Sequence, residues 1–277
     1  MTVSIPAAVL DQYRLFSLYN SPYAAHDHGC AIDLYPETNL APSPVAGEVL
    51  DTRTVRAPPK PYAVEHDHLV LVDTGEHVAR MLHVDPSVEP GDVVAIGDPL
   101  GEMVRSGFFA PWVDNHVHLG FRDPDADHYR ASGSLPVEAA VPVEALPWDG
   151  TGTVVERGDT YVVLDAPVHP APGERFVGVA AGPDGTGGGG VLDGGLPHYD
   201  HGGVLPAGEG AVSLVGTTVG TARNRDVTWD DVVVRANGTP IHGLSLYAGR
   251  TAFGAKLVCP DWDAAVGEHV EVTVERR

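Results

Sequence analysis

Apolar residues along this chain recur mainly at every second position, in short runs rich in Val, Leu and Ile. SPVAGEVLDT, DHLVLVD, VARMLHV, DVVAIG and HVHLGFR each alternate in this way. Side chains of a strand point to opposite faces in turn, so such runs predict strands of about 4–8 residues with one or both faces buried. Glycine and proline, 33 and 24 residues respectively, are spread throughout and supply the turns between them. A 3.6-residue apolar period is found only in AAVLDQYRLF, residues 7–16, where one helix is predicted. The expected class is therefore mostly β, with antiparallel sheets.

The pattern changes after Arg122. DPDADHYRASGS is polar and acidic, and PVEAAVPVEALP is rich in proline and alanine, so residues 123–146 are expected to link two domains. This gives a first β domain over residues 1–122 and a second β-rich domain over 147–277. The second restarts at WDGTGTVVERGDTYVVLDAPV and ends in VGEHVEVTVERR. Its glycine-dense PDGTGGGGVLDGG, residues 183–195, is expected to be a mobile loop. No period of 20–50 residues repeats along the chain.

Charge narrows the choice of partners. The chain carries 38 acidic against 17 basic residues, a formal net charge of -21, and its only lysines are Lys60 and Lys256. A carboxylate-coated surface poor in lysine stays soluble where salt screening is severe, which is the composition expected of a halophilic archaeal protein. Nucleic acid is not an expected partner, because phosphate backbones are bound by clustered Lys and Arg. The N-terminal MTVSIPAAVLDQYR has no basic segment leading into an apolar core, and no run of about 18 apolar residues occurs, so neither export nor membrane insertion is expected and the location would be cytoplasmic. Cys30 and Cys259 are too few to build a disulfide framework.

Candidate chemistry gathers at two places. HDHGCAID, residues 26–33, holds two histidines and two aspartates, and HVH spans 116–118. In the predicted strand HVHLGFR, His116 and His118 share one face, and Val117, Leu119 and Phe121 share the other. Residues two apart stand about 6.5 Å from each other, so one can ligate a metal while its neighbour reaches a bound water. In CAIDLYP, Asp33 points away from Ile32 and Leu34 and can enter the same site. Two histidines and one aspartate would fill the three protein positions of a catalytic zinc site, leaving the fourth for water.

Taken in order, HGCAIDLYP, APSPVAGEVL, HLVLVD, VARMLHVDPSVEPGDVVAIGDPLGEMV and NHVHLGFR resemble the zinc metallopeptidases of the M23 family, of the lysostaphin and LytM type. The likeness covers residues 26–122. It implies an antiparallel β-sheet peptidase domain with bound Zn2+, acting on a peptide substrate. Asp33 and His118 would be two of the ligands. The third would come from the loop ahead of Asp33, where the family commonly has a histidine four residues before the aspartate and this chain has Gly29. His28 lies five residues before and His26 seven, and the shorter spacing favours His28 over His26. His83 and His116 would be the unligated catalytic pair, one accepting the proton of the attacking water and the other stabilising the tetrahedral oxyanion. The resemblance does not assign which does which.

Other features carry less. His66 and His68 fall on a scaffold strand. His198 and His201 lie on a glycine-flanked segment with little claim to a second metal site. Phe108, Phe109 and Trp112, just upstream of HVH, suit core packing and a substrate wall equally. Two further readings stand beside the hydrolase: a catalytically degenerate binding or regulatory module, and a relative of the sugar-permease IIA domains, which pair active-site histidines on a similar β architecture.

Overall fold

The computed structural model describes residues 1–182 and 190–277. It is nearly all β, with multiple antiparallel sheets, and the chain divides into two compact units. One comprises Met1–Leu18 and Tyr23–Val141, the other Tyr19–Pro22 and Pro142–Arg277. The expected linker over 123–146 is corrected by this division, because the chain changes unit at Val141/Pro142. Val137–Ala140 pairs in parallel with Val3–Pro6 in the first unit, and Val143–Leu146 pairs in parallel with Phe176–Val179 in the second. Proline and alanine disguise these as linker, since the strand that completes each pair lies far off in sequence.

The main sheet of the first unit orders its strands as Leu15–Ser17, Ile32–Tyr35, Val117–Arg122, Val78–Leu82, His66–Asp73, Gly47–Arg56 and Val93–Val94, every neighbour antiparallel. Register sorts its faces. Ile32, Leu119, Met81 and Val70 stand in one cross-strand row, all buried. Each such side chain contributes about 1.5–3 kcal/mol by leaving water. The adjacent row, pointing to the other face, runs Ser17, Asp33, His118, Leu82, Leu69. Asp67, two residues before Leu69, shares that face.

VARMLHV is expected as one strand but is two, Val78–Leu82 and Val84–Pro86, broken at His83, whose φ is +72°. The second piece joins Leu40–Pro42 and Pro99–Met103 in a three-stranded sheet. Gly101 is required there, because a Cβ would stand 2.0 Å from the Asp85 carbonyl oxygen.

The predicted helix over 7–16 is corrected to one turn, Ala7–Leu10, followed by strand Leu15–Ser17. Pairing with Ile32–Tyr35 and burial of Leu15 and Phe16 outweigh the local periodicity.

The second unit holds a sheet in which Thr217–Trp229, His201–Leu214, Val191–Leu196, Gly243–Leu246, Lys256–Val258, Tyr161–Leu164, Thr151–Arg157, His269–Arg276, Val232–Ala236 and Thr239–Pro240 are successive antiparallel neighbours. Its core gathers Trp148, Leu192, Leu244, Leu257 and Val272 among others. Tyr19 and Asn20 belong to it, donating from Oη to Asp226 Oδ1 at 2.9 Å and from Nδ2 to Ser245 Oγ at 2.8 Å. Of the glycine tract expected as a mobile loop, residues 183–189 lie outside the described residues and Val191–Leu196 is a strand. Among the described residues, no helix is long and apolar enough to cross a membrane.

Candidate metal centre

Strand register builds the centre first. His118 stands directly across from Asp33 on neighbouring strands, and its Nδ1 lies 3.0 Å from Asp33 Oδ1. His26 arrives from the loop ahead, where it precedes the tight turn Asp27–Gly29. His26 Nε2 sits 3.0 Å from His118 Nδ1 and 3.3 Å from Asp33 Oδ1. These three are the group of His, Cys, Asp and Glu side chains that could hold a metal among the described residues.

The preference for His28 is corrected here. His28 and Gly29 take positive φ, +57° and +65°, which turns the chain so that His28 is exposed while His26 is buried. Glycine adopts this conformation freely, and one non-glycine residue can precede it at modest cost. Counting residues back from Asp33 misleads because the turn folds the loop on itself.

Lone pairs converge in this group. A backbone carbonyl can only accept, so His26 Nδ1–H donates to Leu18 O at 2.8 Å, and in the neutral ring this leaves the Nε2 lone pair facing the group. His116 is fixed alike: Nδ1–H donates to Asp114 O at 2.8 Å, and its bare Nε2 lies 3.5 Å from Asp33 Oδ1. Anchoring of one ring nitrogen on a backbone carbonyl is the usual outer support of a metal-ligating histidine. Of the three histidine rings around Asp33, His118 is the one whose Nδ1 stands at hydrogen-bond distance from its carboxylate with no backbone carbonyl holding it elsewhere. The donor triangle of 3.0, 3.0 and 3.3 Å is close to the edge of about 3.3 Å that a tetrahedral ion with bonds of 2.0–2.1 Å requires. The residues therefore fit a small divalent ion.

Electrostatics agree. Burial pushes His116 and His118 down to about 4, with Asp33 opposing in both cases, so both rings are neutral near pH 7 and able to bind a cation. Burial works against ionisation of Asp33, but His116 and His26 beside it, with the hydrogen bond from His118, hold its carboxyl well below the usual range.

His83 is brought to the same place from the break between its two strands. Its ring centroid lies 4.9 Å from that of His116 and 5.9 Å from that of His118. Its left-handed backbone costs on the order of 1–3 kcal/mol in a non-glycine residue. Phe109 packs against both of these rings, with centroids 5.1 Å from His83 and 4.7 Å from His116, while Phe108 stands 6.4 Å from His83. Thus His26, Asp33, His118, His83 and His116 meet, and His28 does not.

Sequence reasoning passed over Asp67. Its carboxylate is fully buried and accepts from His83 Nδ1 at 2.5 Å, Ser106 Oγ at 2.5 Å, and the backbone N–H groups of His68 and His83 at 2.7 and 3.0 Å. A signal was present, since DHLVLVD places an aspartate in the alternating row of Leu69 and Leu71.

Elsewhere, His68 Nε2 lies 3.6 Å from Asp85 Oδ1, on its scaffold strand. His198 stacks on His242 with centroids 5.1 Å apart, and burial pushes it down to about 3. Cys30 and Cys259 form no disulfide.

Two models of a single family match the chain. The one described as the N-terminal domain of a domain of unknown function (DUF8155) covers residues 4–139, and its C-terminal counterpart covers 144–275. No curated protein and no solved structure matches.

Proposed function

The chain belongs to the two-domain DUF8155 family, and from the geometry of its first domain we propose a zinc-dependent hydrolase that cleaves peptide bonds in the manner of the M23 peptidases it resembles. One observation carries this reading: three ligand atoms from His26, Asp33 and His118 lie within 4.8 Å of one another, flanked by two further imidazoles that are not among them. A purely structural ion has no use for the flanking pair.

His26 and His118 would hold the ion through Nε2 and Nδ1, and Asp33 through Oδ1. When bound, zinc supplies a Lewis acid and lowers the pKa of a coordinated water toward neutrality. His83 and His116 each offer a bare Nε2 on the ring edge away from an anchored Nδ1–H, where a proton can be accepted and later returned to the leaving amine. Phe109 keeps bulk water off both rings.

Burial favours a second reading, a module that holds the ion without turnover. His26, Asp33 and His116 are 2% exposed, His83 is 5% and His118 is 7%. The deciding experiment loads the purified protein with zinc in high salt, measures metal content, and assays glycine-containing peptides. The hydrolase reading expects one zinc per chain, cleavage, loss of zinc in Asp33→Ala, and loss of cleavage with zinc retained in His116→Ala. Retained zinc with no cleavage of any peptide assigns the module instead.

A further inference from the structure

We propose that Asp67 is the positioning residue of this centre: it locks His83 in the tautomer protonated at Nδ1, so that Nε2 presents a lone pair and His83 takes the proton. The inference rests on the hydrolase reading for its chemical consequence, but the lock itself is a matter of hydrogen bonds.

Each carboxylate oxygen of Asp67 serves two donors. Oδ1 accepts the backbone N–H groups of His68 and His83, which cannot turn away. Oδ2 accepts Ser106 Oγ–H and His83 Nδ1–H. Asp67 therefore fixes both the backbone of His83, at its positive φ, and the rotation of its ring. An anionic acceptor at Nδ1 admits one neutral tautomer only.

His116 differs in its partner. Its Nδ1–H rests on the neutral carbonyl of Asp114, and its Nε2 already faces the Asp33 carboxylate at 3.5 Å. Of the two flanking rings, His83 alone has a dedicated carboxylate behind it to stabilise the imidazolium formed when Nε2 accepts a proton. The proton moves from water oxygen to Nε2, with Nδ1–H kept in place, and the ring's positive charge lies beside Asp67.

The arrangement makes Asp67→Asn decisive. The amide oxygen must stay with the two backbone donors, so the amide nitrogen turns to His83 and Ser106. It then donates to Nδ1, and the imidazole proton moves to Nε2, removing the acceptor. Long-range 1H–15N NMR of the zinc-free protein at about pH 8 reads the tautomer directly. The expected result is His83 protonated at Nδ1 in the wild type and at Nε2 in Asp67→Asn.

In the zinc-loaded protein, kcat for peptide cleavage should then fall about 10²–10⁴-fold with KM and zinc content little changed. Ser106→Ala, which leaves the carboxylate facing His83, should keep the wild-type tautomer and lose less than about tenfold in kcat. A wild-type His83 protonated at Nε2 overturns the proposal, even should Asp67→Asn fail to fold. So does an Asp67→Asn protein with unchanged tautomer and kcat. If the wild type cleaves nothing, the hydrolase reading falls while the NMR result still decides the lock.

Discussion

A histidine is placed by its backbone before its ring chemistry matters, and residues 26–33 show it. His26 and His28 have the same side chain and near-equal distance from Asp33 in sequence, yet only His26 reaches it, because positive φ at His28 and Gly29 swings the intervening residue outward. His26→Ala should therefore weaken zinc binding by more than the 10–100-fold typical of losing an outer support, whereas His28→Ala should leave it within about twofold. Competition against a chelator of known affinity measures both. Equal losses in the two variants would remove His26 from the proposed ligand set. Asp33 and His118 were legible in the sequence because strand alternation fixes which face each points to, and the antiparallel register sets them opposite. The choice of His26 over His28, both of them candidates in the sequence, was not, since a turn with two positive φ values leaves no periodic trace. Asp67 was passed over for a different reason: a carboxylate at the head of an apolar row is conspicuous only once it is known to be buried.

At the scale of elements, what pairs decides what forms. Strands with strong alternation, such as HVHLGFR and DHLVLVD, are present as Val117–Arg122 and His66–Asp73. The helix expected over 7–16 gives way to a strand once Ile32–Tyr35 offers it an edge, and a neighbour that distant in sequence leaves no local signature. Position of the site also depends on the loop that leads into HVH. Arg105 holds this loop from its start, donating to the carbonyls of Val113, Ala110 and Pro111, while its guanidinium lies 4.8 Å from the Phe109 ring centroid. Arg105→Ala removes these bonds at a cost on the order of 1.5–3 kcal/mol and frees the segment bearing Phe109 and His116. Hydrogen exchange at residues 108–115 should quicken markedly while the zinc content proposed for the wild type is kept, because none of the three proposed ligands lies on the loop. Unchanged exchange there would show that the loop is held by other contacts.

For the whole molecule, two opposing effects govern its response to acid. The net charge of -21 repels itself, and protonating surface carboxylates relieves that repulsion, so acid stabilises through this term. Buried neutral histidines act the other way, and both units contain them: His116 and His118 are pushed down to about 4 by burial in the first, and His198 to about 3 in the second. Between the ordinary value of 6.5 and these folded values, the unfolded chain binds protons that the native protein does not. Their contribution to stability is thus complete above about pH 6.5 and drains away as pH falls toward 4, each group costing up to about 1.4 kcal/mol per pH unit. Salt separates the two effects. At about 1 M the screening length shrinks to roughly 3 Å, which silences the surface repulsion and leaves the buried groups nearly untouched. In metal-free protein at that salt, the melting temperature should drop by several degrees from pH 7.5 to pH 5.0. At about 0.05 M salt the drop should shrink or reverse. A melting temperature that is flat or rising toward pH 5.0 in 1 M salt would mean that these rings take up protons in the folded protein, which would contradict the neutral, cation-ready centre built around Asp33.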